Sequence, residues 1–134
     1  MFDVNKCLLA AKSKIGAPYL LGGEWNLKDP NPKGPVDCSE FIEWAYAQGG
    51  ARIPDGAHNQ YLASEPDLEQ RPGAVGFFKT GEANCHHVGM LFDAENVIEA
   101  RGKPYNEVIL RPRQRWELWR DFTGWRRFKK LENI

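Results

Sequence analysis

Apolar residues recur at helical spacing in two early segments, then gather into short β-prone blocks after residue 73. In the first segment Val4, Cys7, Leu8, Ala11 and Ile15 mark one face of a helix that Asp3 can cap and Gly16 stops. In the second, Cys38, Phe41, Ile42, Ala45 and Tyr46 form the stripe, and Gly49-Gly50 ends it near Gln48. Glu40 and Glu43 fall on the opposite, water-facing side, and Asp37 with Glu40 has the spacing of a capping box. Between the two helices, GGEWNLKDPNPKGPV over residues 22–36 has loop composition. A short polar helix is expected over 58–64.

The blocks GAVGFF (73–78), HVGMLF (87–92), NVIEA (96–100) and EVILR (107–111) predict strands; WELWRD predicts a helical turn and FTGWRRF a last strand. Helices followed by an antiparallel sheet indicate an α+β fold, with N-terminal helices packed on a central antiparallel β-sheet. With 134 residues, the chain is expected to form a single domain, 1–134, around one core. No internal repeat or low-complexity segment interrupts it.

Charge narrows the classes of partner. Lys+Arg and Asp+Glu both number 18, so no global field draws the chain to nucleic acid or to a membrane surface. Residues 111–134 hold 8 basic and 3 acidic groups, which leaves 10 and 15 for the rest: an acidic body and a basic end. Trp116, Trp119 and Trp125 are interleaved with arginines there. The favoured reading is a closing strand whose tryptophans cover the core while the arginines are solvated; the other is a polymer platform. The start, MFDVNKCLLAAKSKIG, lacks the pattern of a secretory signal, and no run reaches membrane-spanning length.

Three cysteines, Cys7, Cys38 and Cys85, cannot all pair, and there is no CxxC, which disfavours a disulfide framework or a zinc ribbon. The adjacent Cys85-His86-His87 cannot easily converge on one ion, and no second ligand pair has metal spacing, so no metal or cofactor is expected. Cys85 and His86 read as loop residues, and His58 as a surface or helix-packing histidine. Cys7 lies on an apolar stripe and reads as a small buried hydrophobe.

Cys38 is different, because a thiol at a helix N-terminus meets unpaired N–H groups and the positive end of the dipole, which favour the thiolate. Taken alone it also suits a buried core cysteine. A nucleophile needs a base and a group that orients the base. In the hairpin 87–101, Val88, Met90, Phe92, Ile98 and Ala100 share one face only if paired positions sum to an even number. That parity requires an odd loop, most simply Ala94-Glu95-Asn96 with Asn96 left-handed. His87 and Glu99 then share the second face. Glu99 could otherwise be a solvated residue paired with Arg101.

Tyr19 with Gly22-Gly23, then DCSEF, PGAVGFF, HVGML and VIEARG, resemble in order and spacing the motifs of the NlpC/P60 cysteine peptidases, over residues 5 to about 111. The resemblance implies a papain-like core with Cys38 as nucleophile, His87 as general base and Glu99 as the group that orients it. It places Tyr19 where a hydroxyl helps to hold the oxyanion, Asp37 and Ser39 on the substrate subsites, and Gln60 on the same side of the cleft. It also implies hydrolysis of peptidoglycan stem peptides, commonly between γ-D-glutamate and the diamino acid. With no signal or wall-binding segment read in the sequence, action at the wall is expected after phage lysis or another delivery. Many members have Gly at Glu40, Asp at Ala74, Arg at Asp55 and His at Glu99, which puts substrate preference in question more than chemistry. A wall-binding module without turnover, or acyl transfer through the same thioester, are the alternatives.

Overall fold

The computed structural model describes residues 1–134. Helix α1 spans Val4–Ser13 and α2 spans Cys38–Gln48; β1 (Ala51–Arg52), α3 (Ala57–Leu62) and β2 (Ser64–Pro66) follow. The second half supplies β3 (Val75–Lys79), β4 (Cys85–Leu91), β5 (Asn96–Arg101), β6 (Glu107–Pro112), α4 (Arg113–Glu117), β7 (Phe122–Phe128) and β8 (Glu132–Asn133). The α+β expectation holds. Asp3 caps α1 by accepting from the Lys6 N–H, but the helix stops at Ser13, and Ile15 is exposed rather than on the stripe.

Six strands form one antiparallel sheet in the order β2-β7-β3-β4-β5-β6, and β1 pairs with β8 in a separate ribbon. Strands β1, β2 and β8, only two or three residues each, had no periodicity to reveal them. Both faces of the sheet are covered. Phe41, Ile42 and Ala45 of α2, with Cys7 and Ala11 of α1, pack against Phe77, Val88, Met90, Ile98 and Ala100. Across the sheet a smaller cluster joins Phe78, Leu91, Val97, Trp116 and Trp125. Burial on both faces makes β4 and β5 nearly continuous apolar runs. Each fully buried Phe, Ile or Leu contributes roughly 1.5–3 kcal/mol relative to exposure.

The β4–β5 hairpin has the expected parity, Met90 opposite Ile98 and Leu91 opposite Val97, with the loop displaced by one residue. The Phe92 N–H donates to the Asn96 carbonyl at 2.9 Å, so the three loop residues are Asp93, Ala94 and Glu95. Asn96 is not left-handed; it begins β5. The turn is closed instead by the Asp93 carboxylate, which accepts from the N–H groups of Glu95 at 2.9 Å and Asn96 at 2.7 Å.

Cys85 and His86 lie in β4, not in a loop. Phe78 pairs with His87 and Lys79 with Cys85, so His86 is the extra residue of a β-bulge. The bulge shifts the alternation. Cys85 joins the helix-side core with Val88, while His87 keeps the opposite face, beside Phe78 and Trp116.

Candidate active site

The loop before α2 folds back on itself to present the helix start. Gly22 takes φ +84°, and its N–H donates to Asp37 Oδ2 at 3.1 Å. A Cβ on Gly23 would lie 2.8 Å from the Pro35 carbonyl oxygen, so only glycine allows this approach. Tyr19 bridges to Val36 and donates its N–H to Asn106, and its ring lies over Gly102, where a Cβ would come within 3.2 Å. Burial first, then the negative charges of Cys38 and Asp37, push the Tyr19 phenol above its ordinary pKa. The hydroxyl thus stands near the first residue of α2.

Asp37 caps α2, as its spacing suggested, with Oδ1 accepting from the Glu40 N–H at 2.9 Å and the Ser39 hydroxyl at 3.3 Å. The reciprocal half of a capping box is absent, because the Asp37 N–H donates to Gly23. The carboxylate therefore organises the loop, and Ser39 is turned largely inward at 7% exposure. Gln60 does not reach the cleft surface. It is wholly buried, donating from its amide nitrogen to the carbonyls of Ser39 at 3.1 Å and Pro54 at 3.0 Å, and so it props the start of α2. Its burial forbids contact with a substrate.

Glu40 also departs from expectation. It is buried, and its carboxyl lies with those of Glu43 and Asp55 within 4.8 Å of one another. Burial, then a hydrogen bond to Asp55, then the charges of Glu43, Asp55 and Asp37 push Glu40 up to about 9. Burial and then Asp55 and Glu24 raise Glu43 to about 7, against the opposing effect of Arg52. At neutral pH Glu40 is protonated, so it does not repel a thiolate at Cys38, although the reason is burial rather than solvation.

Cys38 opens α2 with 8% of its surface exposed. All three cysteines are free thiols. The dipole and free N–H groups of α2 converge on Cys38 as its sequence position implied. His87 sits on the facing sheet, bonded through Nε2 to Glu99 Oε1 at 2.6 Å. That leaves Nδ1 free for Cys38. Burial pulls the His87 pKa down, but hydrogen bonding and charge from Cys38 and then Glu99 outweigh it and raise the imidazole to about 9. The imidazole and the carboxylate therefore meet, as the register argument required.

Glu99 is completely buried and is held by more groups than His87. Arg101 Nη1 donates to Oε1 at 2.9 Å, and the Trp116 indole Nε1 donates to Oε2 at 2.8 Å. Burial raises its pKa, yet the hydrogen bond and charge of His87, then Arg101 and Trp116, hold the carboxyl below its ordinary value. A buried carboxylate without such donors would cost several kcal/mol. Glu99 is therefore not the solvated residue of the other reading, although the pairing with Arg101 is present beside the bond to His87.

Trp116 was missed as a site residue. Its indole lies across β4 at Gly89, where a Cβ would come within 2.6 Å of the ring. The covering role expected of the tryptophans holds for Trp116 and Trp125, which are buried, and fails for Trp119, which is 51% exposed. The arginines are less free than expected: Arg126 bonds Ser64, and Arg113 bonds Glu117 and Gln70. A buried glutamate calls for several donors, but nothing in the local sequence says which indole supplies one. His58 Nδ1 accepts from the Cys85 N–H at 3.2 Å and stacks with Tyr61, a packing role.

The family model described as "NlpC/P60 family" matches residues 16–124. The chain belongs to that family. The match runs past residue 111, where the sequence motifs ended, and takes in Trp116 and Trp119. Peptidoglycan DL-endopeptidase CwlO of Bacillus licheniformis is 30% identical over 88 residues, 62% of this chain and 19% of that protein. Probable endopeptidase p60 of Listeria seeligeri is 28% identical over 102 residues, 73% of this chain and 18% of that protein. The chain thus spans about a fifth of the length of the curated relatives it matches. The structure of the peptidoglycan hydrolase RipB from Mycobacterium tuberculosis superposes with TM-score 0.73 at 27% identity, covering 96% of this chain and 65% of that one. No helix is long and apolar enough to cross a membrane.

Proposed function

We propose that this NlpC/P60 chain is a cysteine peptidase that hydrolyses amide bonds in peptidoglycan stem peptides, at the bond between γ-D-glutamate and the diamino acid. The observation that carries the reading is the His87 imidazole, held by Glu99 at 2.6 Å and raised to about 9 by Cys38 and Glu99 against its own burial. At neutral pH such an imidazole is protonated and can give its proton to a leaving amine. The peptidoglycan relatives support the choice of substrate, and the DL-endopeptidase name of one supports the choice of bond.

In this mechanism the Cys38 thiolate attacks the scissile carbonyl, and the C–S bond forms as the carbonyl electrons move to oxygen. The Cys38 N–H and the Tyr19 hydroxyl stabilise that oxyanion. When the oxyanion collapses, the C–N bond breaks and His87 gives its proton to the leaving amine. Water then attacks the thioester, losing a proton to His87, and the carboxylic acid departs as the thiolate and imidazolium are restored. Glu99 stays ionised throughout, stabilising the imidazolium and fixing the ring. Asp37 caps α2 and ties down the Gly22 loop, which holds the Cys38 end of the cleft in place.

The experiment is release of new amines from purified peptidoglycan by the wild type and by Cys38→Ala, with mass analysis of the fragments. Release by the wild type, its loss in Cys38→Ala with wall binding retained, and a fragment ending in γ-D-glutamate are the expected results. Wall binding without release by the wild type at any pH would replace this reading with a non-catalytic binding module. Products carrying the mass of a second amine would mark acyl transfer instead.

A further inference from the structure

Beside His87, on the sheet face that carries Phe78, an open pocket of about 200 Å³ is lined by Phe78, His86, His87, Arg101 and Trp119. At about 30 Å³ per water, that is room for one amino-acid residue. Its floor is aromatic: Phe78 and Trp119 stack with centroids 5.8 Å apart, and Trp119 is half exposed. The Arg101 guanidinium lies 5.8 Å from the Phe78 ring and 5.9 Å from the Trp119 ring. Only its Nη1 is engaged, by Glu99, and it makes no other hydrogen bond. The remaining N–H groups form a planar donor edge suited to a carboxylate.

The position of this cavity fixes what could enter it. The group that protonates a leaving amine must touch it, so the leaving residue lies on the His87 side of the scissile bond. On the other side of Cys38 the Asp37 carboxylate caps the start of α2. An anionic group would be disfavoured there and favoured beside Arg101.

Building on the proposed hydrolysis, we propose that this cavity is the leaving-group subsite and that it selects a residue bearing a free carboxylate next to the leaving amine. The carboxylate takes the open edge of Arg101, and the aliphatic part of the residue lies on Trp119. A stem peptide ending at its diamino acid therefore reacts faster than one whose diamino acid is amidated or extended.

The test compares L-Ala-γ-D-Glu-L-Lys with the same peptide as its C-terminal carboxamide. The wild type should favour the acid about tenfold in kcat/KM, or about 1.4 kcal/mol, chiefly through KM. In Arg101→Gln that preference should fall below about twofold; taking the ratio within one protein cancels any common loss from a disturbed Glu99. Trp119→Ala should raise KM for both peptides severalfold and keep the ratio. Equal rates on the two peptides in wild type, or an undiminished ratio in Arg101→Gln, overturns the subsite. A second arm needs neither turnover nor a stable Arg101 variant: NMR titration of Cys38→Ala with L-lysine and with L-lysinamide, following the Trp119 indole. A shift with lysine alone supports the subsite even if the wild type cleaves nothing, and equal or absent shifts with both refute it even if hydrolysis stands.

Discussion

Replacing Glu99 by Gln keeps the shape of the side chain and removes its charge. Glu99 is fully buried and receives donors from His87, Arg101 and Trp116, and an amide has one oxygen to offer where the carboxylate has two. One donor is left unsatisfied, at about 1–3 kcal/mol. The larger effect is on His87. With the carboxylate gone, burial and Cys38 remain, so the imidazole falls from about 9 toward its ordinary 6.5 or below. A histidine raised in the folded state contributes stability that is fully present below pH 6.5 and lost as pH rises through 9. A tenfold change in proton affinity corresponds to about 1.4 kcal/mol, and Cys38 shares the effect, so Glu99 accounts for about 2 kcal/mol. Denaturant unfolding at pH 6 should show Glu99→Gln less stable by about 3 kcal/mol, with the gap narrowing by pH 10. The alkaline limb of kcat/KM should move to lower pH and kcat should fall at least 100-fold. A variant with the wild-type pH profile and a constant stability gap would refute the role given to this carboxylate.

Glu40→Gln should act with the opposite sign. Its carboxyl is raised from 4.5 to about 9 in the folded state, so folding holds a proton that the unfolded chain releases above pH 4.5, and stability falls with rising pH across that window. Glutamine cannot ionise, so the variant should match wild type below pH 4 and exceed it by about 1–2 kcal/mol at pH 8; equal stability at both pH values would be the contrary result. Gly89→Ala places a Cβ 2.6 Å from the Trp116 indole and should cost about 1–3 kcal/mol in denaturant unfolding, with loss of amine release from displaced Glu99. Trp116→Phe should preserve most of the packing yet lose the indole donor, lowering stability by about 2 kcal/mol and shifting the pH profile in the direction of Glu99→Gln.

The helix stripe of α2, the cap at Asp37 and the parity of the β4–β5 hairpin were legible in the sequence. Each depends on residues a few positions apart, where the geometry of one element fixes who faces whom. Parity put His87 and Glu99 on one face without fixing the loop, since moving it by one residue changes the register by two and preserves the face. The family motifs supplied Cys38 as the partner, a pairing that no local pattern encodes.

The rest depended on contacts between distant segments. Glu40 occupies an outward position on the helix wheel, yet Asp55 and Glu43 gather around it and bury it, because the segment after β1 packs over that side of α2. Gln60 became a prop for α2 rather than a cleft residue through two backbone carbonyls in different segments. The sequence by itself determined which residue types stood at a helix start and on one strand face, because backbone periodicity propagates over a few residues. Only the tertiary structure decided that Trp116 and Arg101 hold Glu99 and that Trp119 stays open, because a buried charge must find its donors wherever the fold brings them.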